Sequence, residues 1–151
     1  MRNLMVLIIS SFVFVTNMSN ATEINFAKIG KQSRLENIPI MILFIDNDCD
    51  NCTAVNKEFV TPMQISGEYT DKAIIQIVNL DEDNVLDFNS KKVRLHEFVD
   101  FYHLELTPTA SFVDSAGKEL VPSISGVSNL EYYGSLLDES IEKALSKVGN
   151  Q

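Results

Sequence analysis

The sequence predicts a single α/β domain, a three-layer sandwich with a mixed central sheet and helices on both faces. Three observations carry that expectation. Two short apolar runs, Ile38 to Asp46 and Lys72 to Asp81, read as buried strands. Segments with helical spacing surround them. Near the end, two further apolar stretches flank a Gly-containing turn and lead into a long amphipathic segment. The 151 residues leave room for one such domain, and no repeat, low-complexity stretch or Pro/Gly/Ser-rich linker divides it.

The elements come in this order. Thr22 to Glu36 mixes Ile24, Phe26, Ala27 and Ile29 with charged residues and reads as a short amphipathic helix that Pro39 ends. The run IPIMILFID, Ile38 to Asp46, is apolar over so few residues that it suits a central strand. A helix starts at about Asp48 or Cys49. Thr61 looks like the N-cap of a restarted helix with Pro62 in its first turn. After the second strand, Lys92 to Leu104 carries Val93, Leu95, Phe98, Val99 and Tyr102 at mostly helical spacing. Ala110 to Val113, a turn over Asp114 to Gly117, and Glu119 to Ile124 read as a hairpin. A final helix covers about Asn129 to Lys147. The order is α-β-α-β-α-β-β-α, in which two βα crossovers imply parallel strands and the hairpin an antiparallel edge.

Residues 1–21 read as a secretory signal peptide. Arg2 is the positive start, Leu4 to Val15 an apolar run broken only by Ser10 and Ser11, and Ser19-Asn20-Ala21 a cleavage-type ending. Such a run is short for a bilayer span. The remaining domain is expected over 22–151. Without Arg2 it carries 11 basic and 21 acidic residues, a net charge of −10. A surface so acidic repels nucleic acid and anionic lipid, so neither is an expected partner; it also keeps an exported protein soluble.

Both cysteines, Cys49 and Cys52, stand in FIDNDCDNCTAV, Phe44 to Val55. Three chemistries compete for such a pair. As a staple it closes a very short loop and constrains the unfolded chain little. Structural zinc takes four ligands, yet there is no second cysteine pair, and His96 and His103 are distant in sequence at ordinary positions. A redox couple needs its first cysteine at a helix N-terminus, where backbone N–H groups and the helix dipole favour the thiolate, and a second one turn on. The strand–loop–helix setting supplies both. Export into an oxidising compartment lets the disulfide persist. Redox chemistry leads, with the metal and structural readings open.

Cys49-Asp50-Asn51-Cys52 after a buried strand, Leu106-Thr107-Pro108-Thr109 before the third strand, and Gly126 after the hairpin together resemble the thioredoxin superfamily. The resemblance runs from Ile38 to Lys147. LTPTASFVDSAGKEL and GVSNLEYYGSLLDESI are most similar to small periplasmic thioredoxin-like proteins of bacteria, including those accompanying sulfur-oxidation systems. It implies a cis proline at Pro108, in a loop set against the cysteine pair, where Thr107 and Pro108 would orient an extended substrate chain. It also implies periplasmic localisation and catalysis by Cys49 and Cys52 without metal or organic cofactor.

The chain departs from thioredoxins proper around the cysteines. Asp48 stands where they have Trp, and Asp50-Asn51 where they have Gly-Pro. Leu43 and Ile77 occupy the positions of their buried carboxylate and lysine, so that proton relay is absent or replaced. Asp48 and Asp50 oppose ionisation of Cys49, because nearby negative charge favours the neutral thiol, while the helix dipole pulls the other way. A weakly acidified thiol suits a reductant or isomerase-like partner rather than a strong oxidant.

The expectation is therefore an enzyme, a periplasmic thiol:disulfide oxidoreductase acting on protein thiols and disulfides. It would work as a monomer, with a membrane electron donor as candidate recharging partner. The alternatives are a copper chaperone holding Cu(I) between the two thiolates, and a redox-inactive thioredoxin-like binding module.

Overall fold

In the computed structural model, residues 23–148 are described. The signal peptide expected over 1–21 and the extreme ends of the domain expected over 22–151 lie outside them. Strand β1 (Ile40–Ile45) lies at the centre of a four-stranded sheet, with β2 (Ile74–Asn79) on one side. On the other side lie β5 (Thr109–Val113) and, at the edge, β6 (Glu119–Ser125). Helices α1 (Phe26–Glu36) and α4 (Leu95–Asp100) cover one face of the sheet. The other is covered by α2 (Asp50–Val55), α3 (Thr61–Ser66) and α5 (Leu130–Val148). The chain is the three-layer α/β sandwich with a mixed sheet.

The period of two along β1 divides the interior. Met41 and Leu43 face Val55, Val60, Leu137 and Ile141, while Ile40, Ile42 and Phe44 face Phe26, Val85, Leu95 and Phe98. All five of these strand residues are fully buried. Phe26 stacks on Phe98 with ring centroids 4.6 Å apart and anchors α1 to this second core. Asn25 starts α1, its side chain accepting the Lys28 N–H at 2.9 Å, so the helix begins later than Thr22. At the far end Asn37 adopts a left-handed conformation, and the buried Ser33 hydroxyl donates to the Ile38 carbonyl at 2.6 Å. The chain then enters β1 at once.

Four expectations are corrected. The helix expected over Lys92 to Leu104 is a strand, β4 (Lys92–Arg94), followed by the six-residue α4. β4 pairs with β3 (Asn84–Leu86), with Val93 opposite Val85, in a separate two-stranded sheet. Asp87 makes that hairpin, its Oδ1 accepting the N–H groups of Asn89 and Lys91 at 2.8 Å. Val93 and Leu95 are two apart, the strand period, and only Leu95 onward keeps the helical one.

The second correction concerns β5, which runs antiparallel to β1 and not parallel. Six helical residues advance about 9 Å, whereas six strand residues advance about 20 Å. α4 by itself does not carry the chain to the opposite end of the sheet, and the segment 101–108 after it stays at the end where β1 stops, with the Thr107 carbonyl beside Cys49. β5 therefore starts beside the end of β1, with Thr109 opposite Phe44. Within the four-stranded sheet of the described residues, β1 and β2, joined through the longer α2–α3 run, are the parallel pair.

Third, Thr61 does not cap a new helix. Its own dihedrals are helical, and a π-helical turn over Asn56–Val60 joins α2 to α3. The Thr61 N–H donates to the Asn56 carbonyl, five residues back, and the Thr61 hydroxyl donates to the Asn56 side chain at 3.2 Å. The wider turn carries the helix into Pro62, whose ring would clash within a regular α-helix. Fourth, β2 is an edge strand with only Val78 fully buried, not a strand enclosed on both faces.

Tyr133 on α5 lies in the core, and its hydroxyl has no hydrogen-bond partner among the described residues. Burial pushes its pKa up from 10.0 to about 12. An unfolded tyrosine ionises near pH 10, so above that the unfolded chain releases a proton that the folded chain retains. Stability contributed by the neutral phenol is complete below about pH 10 and is lost as pH rises through about 12. Tyr133→Phe is expected to hold or gain up to about 1 kcal/mol at pH 7 and to lose less stability than wild type between pH 9 and about 11. Urea midpoints at the two extremes check this. A large loss at pH 7 would mean that the hydroxyl has a partner.

Candidate active site

Both cysteines sit where β1 gives way to the helical run 50–66. Asp46, Asn47 and Asp48 form the turn between them. The Asp48 N–H donates to Asp46 Oδ1 at 3.1 Å, and the Asn47 N–H donates to Asp81 Oδ2 at 3.1 Å. Asn79 at the end of β2 donates from its amide to Asn47 Oδ1 at 2.8 Å. These contacts tie the loop to the neighbouring strand end and set the direction in which the chain enters α2.

Cys49 is the N-cap of α2, in extended conformation, and its sulfur accepts the Cys52 N–H at 3.0 Å. A thiol side chain thus occupies the place where Ser or Asp usually satisfies the first free N–H groups of a helix. Cys52 lies one turn on, and the two sulfurs form a disulfide with the Cα atoms 5.2 Å apart. Cys49 is half-buried, whereas Cys52 is 1% exposed. In the reduced state the same N–H would solvate a Cys49 thiolate, the form that attacks disulfides.

The loop before β5 closes over this pair. The Thr107–Pro108 peptide bond is cis, and the Thr107 carbonyl oxygen lies 3.7 Å from Cys49 Sγ. In the disulfide this is a contact; a reduced thiol could donate to that oxygen. Pro108 is buried, and its carbonyl accepts the Gly126 N–H at 2.8 Å. Gly126 has φ +67°, and a Cβ there would meet Leu106 Cδ1 at 2.6 Å, so glycine suits both the backbone and the close approach. The Thr109 hydroxyl donates to the Leu106 carbonyl at 2.7 Å, fixing the loop from below.

The other expected site residues differ in placement. Asp48, Asp50 and Asn51 are all exposed at the mouth of the site, Asp50 in the first turn of α2. Leu43 is fully buried in the middle of β1 and lies beside Ile77 of β2, so the strand positions expected for a relay hold hydrocarbon. His96 and His103 are exposed and stand apart from the cysteines in the fold, on α4 and in the turn after it. Among the described residues no group of three or more His, Cys, Asp or Glu converges.

One residue went unnoticed in the sequence. Asp46 accepts the Thr107 hydroxyl on Oδ2, a contact across 61 positions of chain. It also lines a cavity of about 290 Å³ together with Asn47, Cys52, Asn56, Lys57 and Thr61. The one available signal was an acid closing an apolar run three residues before a Cys-x-x-Cys, which reads equally well as the polar end of a strand.

A family model described as a thioredoxin-like domain matches residues 26–141. No curated protein matches the sequence. Among solved structures, a thioredoxin from Malassezia sympodialis aligns over 80% of this chain and 88% of its own, with 14% identity and a TM-score of 0.52. Thioredoxin O2 from Arabidopsis thaliana in its oxidised state aligns over 76% and 88%, with 18% identity and a TM-score of 0.50. The periplasmic thioredoxin SoxS from Paracoccus pantotrophus aligns over 70% and 98%, with 16% identity and a TM-score of 0.47. At such identities the structural likeness shows the fold. The family match, however, takes in the whole central sheet and both cysteines: the chain belongs to the thioredoxin superfamily and, through its Cys-x-x-Cys pair, is a thiol:disulfide oxidoreductase.

Proposed function

We propose that this oxidoreductase acts on protein disulfides in the periplasm, as a reductant or isomerase-like partner. The observation that carries the reading is the pairing of a half-buried Cys49 sulfur at a helix start with a buried Cys52 one turn behind it. The Cys49 thiolate attacks one sulfur of a substrate disulfide, and the other substrate sulfur leaves as a thiolate that takes up a proton. Cys52 then loses its proton and attacks Cys49 Sγ. The mixed disulfide breaks, the second substrate thiol is released, and two electrons have passed from the pair to the substrate. No metal or organic cofactor enters. Thr107 and Pro108, against Cys49, would orient an extended substrate segment, and a membrane electron donor would re-reduce the monomeric protein.

The reductant direction is supported by charge. The helix start favours the Cys49 thiolate, but Asp48 and Asp50 at the mouth oppose it. A thiol kept from strong acidification leaves the disulfide as the comparatively favoured state, which is the property of a reducing couple. The positive start at Arg2, the apolar run Leu4 to Val15 and the Ser19-Asn20-Ala21 ending support export.

Cys49→Ser is expected to abolish insulin-type disulfide reduction, and Cys52→Ser to accumulate mixed disulfides with substrates, detectable on non-reducing gels. A Cys52 variant that keeps full turnover and traps nothing would overturn the assigned roles. Replacing Asp48 and Asp50 by Asn should lower the Cys49 pKa in a thiolate absorbance titration and make the couple more oxidising. The shift should shrink with added salt, because both acids are exposed and screened. Full-length protein expressed in a Gram-negative host should appear in the periplasmic fraction shortened by about 21 residues, as read by intact mass. Cytoplasmic full-length protein would refute the export reading.

A further inference from the structure

Asp46 holds together the two loops that make the site. Its Oδ1 accepts the N–H of Asp48, beside Cys49, at 3.1 Å, and its Oδ2 accepts the hydroxyl of Thr107. Thr107 in turn sets its carbonyl 3.7 Å from Cys49 Sγ. One carboxylate thus bridges the cysteine loop and the loop assigned to substrate. Asp46 is only partly exposed, unlike Asp48 and Asp50. A charge withdrawn from water is screened less, so at similar range it acts more strongly on its surroundings. The other charged groups nearby are Asp81, which accepts the Asn47 N–H, Glu105 on the segment leading to the cis proline, and Lys57 across the cavity. Lys57 is exposed and pairs with no acid among the described residues' ion pairs.

We propose that Asp46 is the positioning and charge-setting residue of this redox site, holding Thr107 in register with Cys49 and opposing the Cys49 thiolate more than Asp48 or Asp50 does. The proposal rests on the reading of Cys49 as the attacking sulfur. Its two parts act on different observables. The charge acts on the Cys49 pKa and on the potential of the pair. The hydrogen bond to Thr107 acts on how well a substrate chain is received.

The variants separate them. Asp46→Asn removes the charge and leaves one acceptor oxygen for two donors, so it also gives up the bond from the Thr107 hydroxyl. Thr107→Val removes the hydroxyl donor and keeps the charge, and Thr107→Ser restores the donor. The experiment titrates the Cys49 thiolate by absorbance and equilibrates the pair with glutathione, for wild type, Asp46→Asn, Asp48→Asn, Asp50→Asn, Thr107→Val and Thr107→Ser. The same proteins, with the Asp46→Asn, Thr107→Val double variant, are assayed for KM and kcat on insulin.

Asp46→Asn should give the largest fall in Cys49 pKa among the three acid variants and the most oxidising pair. Thr107→Val should raise KM about tenfold, the effect of losing one hydrogen bond to a charged group, with a smaller change in pKa. Thr107→Ser should recover most of that loss. The double variant should be no worse in KM than the worse single one, since both changes break the same bond. A Cys49 pKa that Asp46→Asn leaves unchanged, or moves less than Asp48→Asn does, overturns the charge-setting role. Additive KM losses in the double variant overturn the clamp. The pKa and potential are read without substrate, so a wild-type protein inactive on insulin would count against the proposed function and leave this test standing.

Discussion

Every residue of β1 from Ile40 to Phe44 is enclosed, and the strand has to satisfy two cores at once. Burying a side chain of this size stabilises the fold by about 1.5–3 kcal/mol, so the strand's alternating faces commit the helices on either side. Slipping β1 by one residue would exchange its two faces and mismatch both cores. Its register against β2 and β5 also decides where its last residue ends. The site depends on that endpoint, because Asp46 to Asp48 begin where the ladder stops and Thr109 starts β5 opposite Phe44.

The chemistry draws on backbone and charge more than on the floor of the site. Leu43 and Ile77, side by side in the sheet, carry no side-chain proton acceptor. Polar groups gather instead at the rim and in the cavity beside Cys52, where Asp46, Asn56 and Lys57 meet. Cys49 lies between a helix start that favours its thiolate and a set of acids that disfavours it. In the proposed function, the balance of these opposed effects would set the thiol's reactivity and the direction in which the pair passes electrons.

The Thr-Pro step was legible through the family resemblance, and the cysteine pair and the helix start behind it were legible from local pattern. So were the apolar strand Ile38 to Asp46 and the final hairpin, whose turn Asp114 closes by accepting the N–H groups of Ala116 and Lys118. The segment 84–94 was not. Three-residue strands carry too few alternations to register as a period, and Val93 fitted the helical spacing of α4. Thr61 misled for a related reason. A Thr-Pro pair signals a helix start locally, but packing of Val60 and Met63 in the core keeps the helix continuous and places the irregularity one turn earlier as a π-helical turn.

What the sequence determined by itself is what depends on neighbours along the chain. That includes the redox pair, the elements that hold it, the family they resemble and the acids flanking Cys49. What only the tertiary structure decided depends on distances between segments far apart in sequence. The direction of β5 came from its antiparallel pairing with β1, and the edge position of β2 from the order of strands. The Asp46–Thr107 contact spans 61 residues and exists only because β5 starts beside the end of β1. Hydrogen bonds of that kind leave no periodic trace, since any acid at the end of a strand and any threonine before a proline look the same until the sheet brings them together.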